Sequence, residues 1–276
     1  MARSLAMGVV TLLAAAAATW LLLVAWLWFR QESLLFYPAP LAPDYQLATA
    51  PDVHELSVEV PGARLSVLQL RLARPRGVLL FLHGNAGNLA SWFNQADVDL
   101  CRQAGFDLVM PDYRGYGKST GRIENEAQLR ADVRAVWQAV APRYAGLPLV
   151  LYGRSLGTAL AADLGARLSE EGRPPQLTVL VSPYTSMRAL GDEYYPWVPP
   201  SLLRYPLDTA SHLRAVRGPI VLLHGEEDRL TRVHHSRQLQ RLVPAARLHV
   251  VPGAGHDDIE QFQTYREAIA AALRQL

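Results

Sequence analysis

The sequence predicts an α/β protein: a mainly parallel, doubly wound central sheet with a small cap segment and an N-terminal transmembrane helix. Three observations carry this reading. A hairpin pattern is followed by alternation of short apolar runs and longer amphipathic runs, the signature of βαβ units. The central apolar runs are continuous, as in strands buried on both faces. A long uncharged stretch stands apart at the N-terminus. Right-handed crossovers between parallel strands then place helices on both faces of the sheet.

The N-terminal stretch, residues 4–29, contains no charged side chain. As a helix it spans about 39 Å, more than the roughly 30 Å of a bilayer's hydrocarbon core. Trp20, Trp26, Trp28 and Phe29 crowd its C-terminal half, where an aromatic belt meets the interface. The competing reading is a signal peptide cut among Ala14–Ala18, which would leave the aromatic half as an exposed apolar tail. Arg3 and the α-amine on one side, against Arg30, Glu32 and Asp44 on the other, lean towards a non-cytoplasmic domain. The expected division is an anchor over 1–30, a proline-rich connector over 31–53 and a folded domain over 54–276. Prolines 38, 40, 43 and 51 keep the connector extended.

Within the domain, residues 54–60 and 64–72 read as a hairpin around Pro61-Gly62. Buried strands follow at 77–82, 107–110, 147–152, 177–181, 220–223 and 248–251. Helical patterns occupy 88–104, 124–140, 156–168 and 264–273. Between 183 and 217 there is no clear strand. Tyr194, Tyr195, Trp197 and several prolines there suit an apolar cap, or a long excursion packed on the sheet.

Composition excludes several classes. Half of the 276 residues are hydrophobic and the net charge is +2, which rules out disorder. Cys101 is the only cysteine, so no internal disulfide exists. No basic block suggests nucleic acid. The loop after residue 82 lacks a P-loop lysine and a G-x-G-x-x-G spacing, so nucleotide binding is not expected, and no cofactor or metal site is read.

In a doubly wound sheet, chemistry lies at the carboxyl ends of the strands. After the strand at 147–152 comes Gly153-Arg154-Ser155-Leu156-Gly157, a G-x-S-x-G at a strand-to-helix junction. Ser155 is the candidate nucleophile; a plain helix cap would not require both glycines. A serine hydroxyl needs a base. Of eight histidines, His256 follows the last strand beside Gly255, while His212, His234 and His235 read as solvated. The third member must orient the imidazole. The strand at 220–223 runs into His224-Gly225-Glu226-Glu227-Asp228, and Asp228 is chosen over Glu226 and Glu227. Asp257 and Asp258 sit too near His256 to reach its Nδ1. The order Ser155, Asp228, His256 is that of a nucleophile-elbow enzyme. The oxyanion hole falls to the amides of Leu156 and Asn85, with Ala86 as runner-up.

Taken together, Phe81-Leu82-His83-Gly84-Asn85-Ala86-Gly87-Asn88, Asp112-Tyr113-Arg114-Gly115-Tyr116-Gly117-Lys118-Ser119, the 152–157 elbow, 224–228 and Gly255-His256 resemble the α/β-hydrolase superfamily. More narrowly the chain resembles its membrane-anchored α/β-hydrolase-domain proteins, a likeness that Ser33-Leu34-Leu35-Phe36-Tyr37-Pro38 extends. The resemblance covers about residues 33–276 and implies a serine hydrolase acting on carboxylic esters or thioesters, lipid-like acyl groups among them. The alternatives are a peptidase of the same fold and a non-catalytic, membrane-tethered binding protein. Asp112 and Arg114 read as parts of a structural loop.

Overall fold

The computed structural model describes residues 2–276. Eight strands form one sheet in the order β10-β9-β8-β7-β4-β6-β3-β2. They are β2 (Val53–Val60), β3 (Ala63–Leu70), β4 (Gly77–Leu82), β6 (Phe106–Pro111), β7 (Leu149–Arg154), β8 (Leu177–Val181), β9 (Ile220–Gly225) and β10 (Arg247–Val251). β2 and β3 pair antiparallel around the Pro61-Gly62 turn, β3 meets β6 antiparallel, and every other pairing is parallel. A two-stranded ribbon pairs β1 (Tyr37–Pro38) with β5 (Ala86–Gly87).

The central strands are buried on both faces, which explains their unbroken apolar runs. Along β4, Val78, Leu80 and Leu82 enter one apolar cluster, and Leu79 and Phe81 enter the other. The first cluster takes side chains from α4 (Glu126–Val140) and α5 (Gly157–Glu170). The second takes them from α3 (Gln95–Ala104) and α9 (Gln263–Arg274). β4 has β6 on one side and β7 on the other, so the chain changes direction across the sheet there. The carboxyl ends of β4 and β7 border the resulting crevice, where ligands bind in such sheets.

The fold expected from the sequence is the fold observed, with local differences. The helix expected over 88–104 is two: α2 (Leu89–Trp92) and α3. Asn94 interrupts it, because its side chain accepts from the Asp97 amide at 3.0 Å and caps a new start. Three helices had no clear sequence signal: α6 (Met187–Tyr194), α7 (Thr209–Leu213) and α8 (His234–Leu242). The cap region contains no strand, and α6 buries none of its residues.

Helix α1 runs from Ala2 to Leu35 and is exposed over most of its length. Its apolar window has mean hydropathy 2.2. The helix continues beyond Arg30, and its last turns dock on the domain. Gln31 donates to the Leu202 carbonyl at 2.6 Å and accepts from the Arg204 amide at 2.9 Å. Glu32 pairs with Arg204 at 2.7 Å and accepts from the Tyr205 hydroxyl at 2.8 Å. Phe36 is buried edge-on against Tyr205, with ring centroids 5.1 Å apart. Tyr37 then donates its amide to the Asn85 carbonyl at 2.8 Å.

Candidate active site

The turn between β7 and α5 is tight for reasons visible at three residues. Ser155 sits at φ +51°, a left-handed conformation uncommon for a residue with a side chain. A Cβ on Gly157 would lie 1.9 Å from the Leu82 carbonyl oxygen, and one on Gly153 would lie 2.5 Å from that of Gly157. Both positions therefore admit glycine alone without movement of the backbone. The Ser155 amide donates to the Val181 carbonyl at 2.9 Å, tying the elbow to β8.

Ser155, His256 and Asp228 come together from three loops. Ser155 Oγ lies 3.1 Å from His256 Nε2, and His256 Nδ1 lies 2.7 Å from Asp228 Oδ2. With its proton on Nδ1, the imidazole donates to the carboxylate and can accept a hydrogen bond from the serine hydroxyl at Nε2. Glu226 and Glu227 are exposed, whereas Asp228 is buried. Asp258 accepts from the Gly255 amide at 2.7 Å and so shapes the loop that carries His256.

Burial alone would raise the pKa of Asp228. Hydrogen bonds from His224 and His256, the charge that His256 carries when protonated and the Thr231 amide outweigh it and hold the carboxyl well below the usual carboxylate range. Oδ1 accepts from the amides of Leu230 at 2.9 Å and Thr231 at 2.8 Å, and Oδ2 from the Thr231 hydroxyl at 3.0 Å. The carboxylate thus remains ionised through the whole range in which histidine titrates. Its contribution to stability is present above its unfolded value near 3.9 and is lost as pH falls towards the lower folded value.

On the other side of Ser155, the loop after β4 carries His83 to Asn88. A Cβ on Gly84 would lie 3.8 Å from Ser155 Cβ, so this loop passes directly beside the nucleophile position. Asn85 is held by its other atoms: its carbonyl accepts from Tyr37 and from the Tyr116 hydroxyl at 2.7 Å, and its Nδ2 donates to the Leu35 carbonyl at 3.1 Å. The amides of Asn85 and Leu156 donate to no other group among the described residues. Asp112 accepts from the Leu89 amide at 3.1 Å and faces buried His83 at 3.4 Å, while Arg114 grips Asp132 through two hydrogen bonds. Both act within the loop architecture.

Several residues at the site carried no sequence signal. Arg154, within the elbow itself, is buried and sends its guanidinium to Glu260 at 2.7 Å and to the carbonyl of His256. It links the serine turn to the histidine loop. Thr231 lies 3.2 Å from His256 Nδ1. His224 is fully buried, donating to the Thr231 carbonyl and bonded to Ser236 at 2.7 Å, and so supports the acid turn from behind. One expectation is corrected: His235 is buried rather than solvated, because α8 turns it inwards beneath the cap.

Fold and site together have the layout of an α/β protein with a nucleophile-elbow turn. A family described as serine aminopeptidase, S33, matches residues 73–206. An uncharacterized protein of Mycobacterium tuberculosis is 30% identical over 250 residues, covering 86% of this chain and 84% of that one. Alpha/beta hydrolase domain-containing protein 17C of Mus musculus is 32% identical over 216 residues, 75% of this chain and 62% of that protein. Among solved structures, an esterase of Pyrococcus furiosus superposes with TM-score 0.66 at 17% identity, covering 87% of this chain and 97% of its own. The thioesterase domain from the curacin biosynthetic pathway gives TM-score 0.59 at 16% identity, covering 81% and 99%. The chain belongs to the α/β-hydrolase superfamily. Membership and neighbours support hydrolase activity.

Proposed function

We propose that the protein is a serine hydrolase that cleaves carboxylic ester or thioester bonds of acyl, lipid-like substrates through an acyl-enzyme. The observation that carries the reading is the hydrogen-bonded series Ser155–His256–Asp228 on a glycine-flanked turn. His256 takes the Ser155 proton as Oγ attacks the acyl carbon, and Asp228 stabilises the imidazolium that forms. The amides of Leu156 and Asn85 receive the developing oxyanion. His256 then protonates the leaving alcohol or thiol, and water deacylates the enzyme by the same route. No cofactor or metal enters these steps. Residues 4–29 act as a single-pass membrane tether, the connector lies over 31–53, the hydrolase domain occupies 54–276 with its cap at about 183–217, and the domain faces the non-cytoplasmic side.

A peptidase reading is favoured by one observation, the description of the matching family as a serine aminopeptidase. A panel of ester, thioester and peptide substrates of one acyl group separates the two. Fluorophosphonate should label the full-length protein, and Ser155→Ala should abolish labelling and lower the rate by about six orders of magnitude. Labelling retained in Ser155→Ala would assign the nucleophile elsewhere, and turnover of peptides alone would replace the ester reading.

A further inference from the structure

Away from the proposed acyl-transfer site, α6 of the cap and the first turn of α8 bring Glu193, His234 and His235 together. Glu193 Oε1 lies 2.7 Å from His234 Nε2 and 3.2 Å from His235 Nε2. The three ligand atoms lie within 4.8 Å of one another. Two neighbouring imidazoles and a carboxylate converge on one point, and the two rings stack with centroids 4.4 Å apart.

An ordinary ion-pair reading fits these residues poorly. A neutral His234 can donate from Nε2 to Glu193 at 2.7 Å, but that contact leaves the Nε2 of His235 without a hydrogen-bond partner among the described residues. The side chain of His235 is 1% exposed, and its Nε2 has no hydrogen-bond partner among the described residues while facing the Glu193 carboxylate. A buried ring nitrogen in that state is costly unless something occupies its lone pair. The opposite nitrogen is engaged by one residue: Nδ1 lies 3.1 Å from Thr185 Oγ1 and accepts a long bond from the Thr185 amide at 3.4 Å. Ligation through Nε2 would place the proton on Nδ1, donated to the threonine hydroxyl in place of the long amide contact, and would leave the Nε2 lone pair facing the cluster. This is the arrangement by which protein ligands to transition metals are oriented.

We propose that Glu193, His234 and His235 form a binding site for a divalent transition-metal ion of the zinc class, with the fourth position open to water. Two imidazoles and one carboxylate are ligands that zinc accepts, and bonds of about 2.0–2.2 Å at a tetrahedral centre separate ligand atoms by roughly 3.3 Å. Reaching those separations from the present 2.7 and 3.2 Å would take rotamer adjustments of Glu193 and His234, both on the exposed side of the cluster. The neighbouring cation, Arg232, is turned over the Tyr194 ring at 5.7 Å. The ion would staple the cap to the segment that follows Asp228, next to the Tyr194 hydroxyl, which donates to the Arg229 and Leu230 carbonyls.

The test is titration of the tag-free, chelator-stripped, full-length protein in detergent with zinc by calorimetry, and with cobalt(II) by visible absorption. Saturable binding of one ion is expected, with a cobalt spectrum of four-coordinate type. His235→Ala empties a buried position and can unfold the cap, so His234→Ala and Glu193→Gln carry the argument. Each should weaken binding at least about tenfold, Thr185→Val should weaken it by a similar factor, and His212→Ala should leave it unchanged. Absence of saturable binding, or binding undiminished in both His234→Ala and Glu193→Gln, overturns the proposal. Its outcome is independent of the acyl-transfer reading.

Discussion

At the carboxyl edge of the sheet, Asp228 is buried and accepts hydrogen bonds from the Leu230 and Thr231 amides, the Thr231 hydroxyl and His256, and Arg154 is buried and bridges two loops. Across from it, helix α6 buries none of its residues, and Tyr194, Tyr195 and Trp197 stand 39–56% exposed. On the proposed function, the difference separates two tasks. Proton transfer tolerates little displacement, so the rim is fixed from several directions. A surface that receives apolar groups needs area, which aromatic side chains supply at low rotamer cost.

The sharpest way to break the contrast is at the rim. Asp228→Asn should lower ester turnover by about four orders of magnitude, because the amide favours the wrong tautomer of His256. Glu226→Gln and Glu227→Gln, on exposed positions, should change the rate little. Steady-state kinetics on a short soluble ester decides, and a larger loss in either glutamate variant would reassign the acid.

Arg154→Lys tests whether the rim works as a connected frame. Lysine keeps the charge near Glu260 but loses the planar fork that also reaches the His256 carbonyl. The expected result is about a tenfold fall in kcat with KM little changed, and slower but complete fluorophosphonate labelling. An unchanged kcat would make Arg154 a packing residue only.

On the cap, the double variant Tyr195→Ala, Trp197→Ala should leave the short ester unaffected and reduce kcat/KM for a long-chain ester by about fivefold, equivalent to about 1 kcal/mol of lost apolar contact. Equal losses on both substrates would place these side chains outside the acyl path.

The last effect concerns stability behind the rim rather than turnover. Burial pushes Asp97 up to about 6, aided by the charge of Glu260. Its folded value lies above the unfolded one, so its contribution is present below about pH 4 and disappears as pH rises through about 6. Asp97→Asn should therefore stabilise the protein at pH 7.5 relative to pH 5 by about 1 to 2 kcal/mol, read from thermal midpoints at both values. A pH-independent difference between variant and parent would remove this account.

The rim was legible in the sequence because its residues follow apolar runs that only buried strands produce. Gly153 and Gly157 announce the turn, and Asp228 and His256 each come shortly after a strand end. The cap and the acid turn's supports were not legible. α6 and α8 are short and polar, and the inward placement of His235 depends on an orientation set by tertiary packing. Arg154 occupies a variable position of its motif, so its bond to the histidine loop, a hundred residues away in sequence, left no local trace. Asn94 could have been noticed: an asparagine three residues before an aspartate inside a helical run is a capping signal.

The ribbon formed by Tyr37–Pro38 and Ala86–Gly87 has a mechanical consequence. Two residues after α1 ends, the chain is knitted to the loop beside Ser155, and Asn88 adds a bond of 2.7 Å to the Ala39 carbonyl. Helix and loop therefore move as one lever. Twisting the domain about the helix axis would have to break the ribbon, the Gln31 bonds and the Glu32–Arg204 pair together. Whatever grips α1 thus fixes the direction in which the mouth of the site points, and a torque on the helix is delivered first to Asn85.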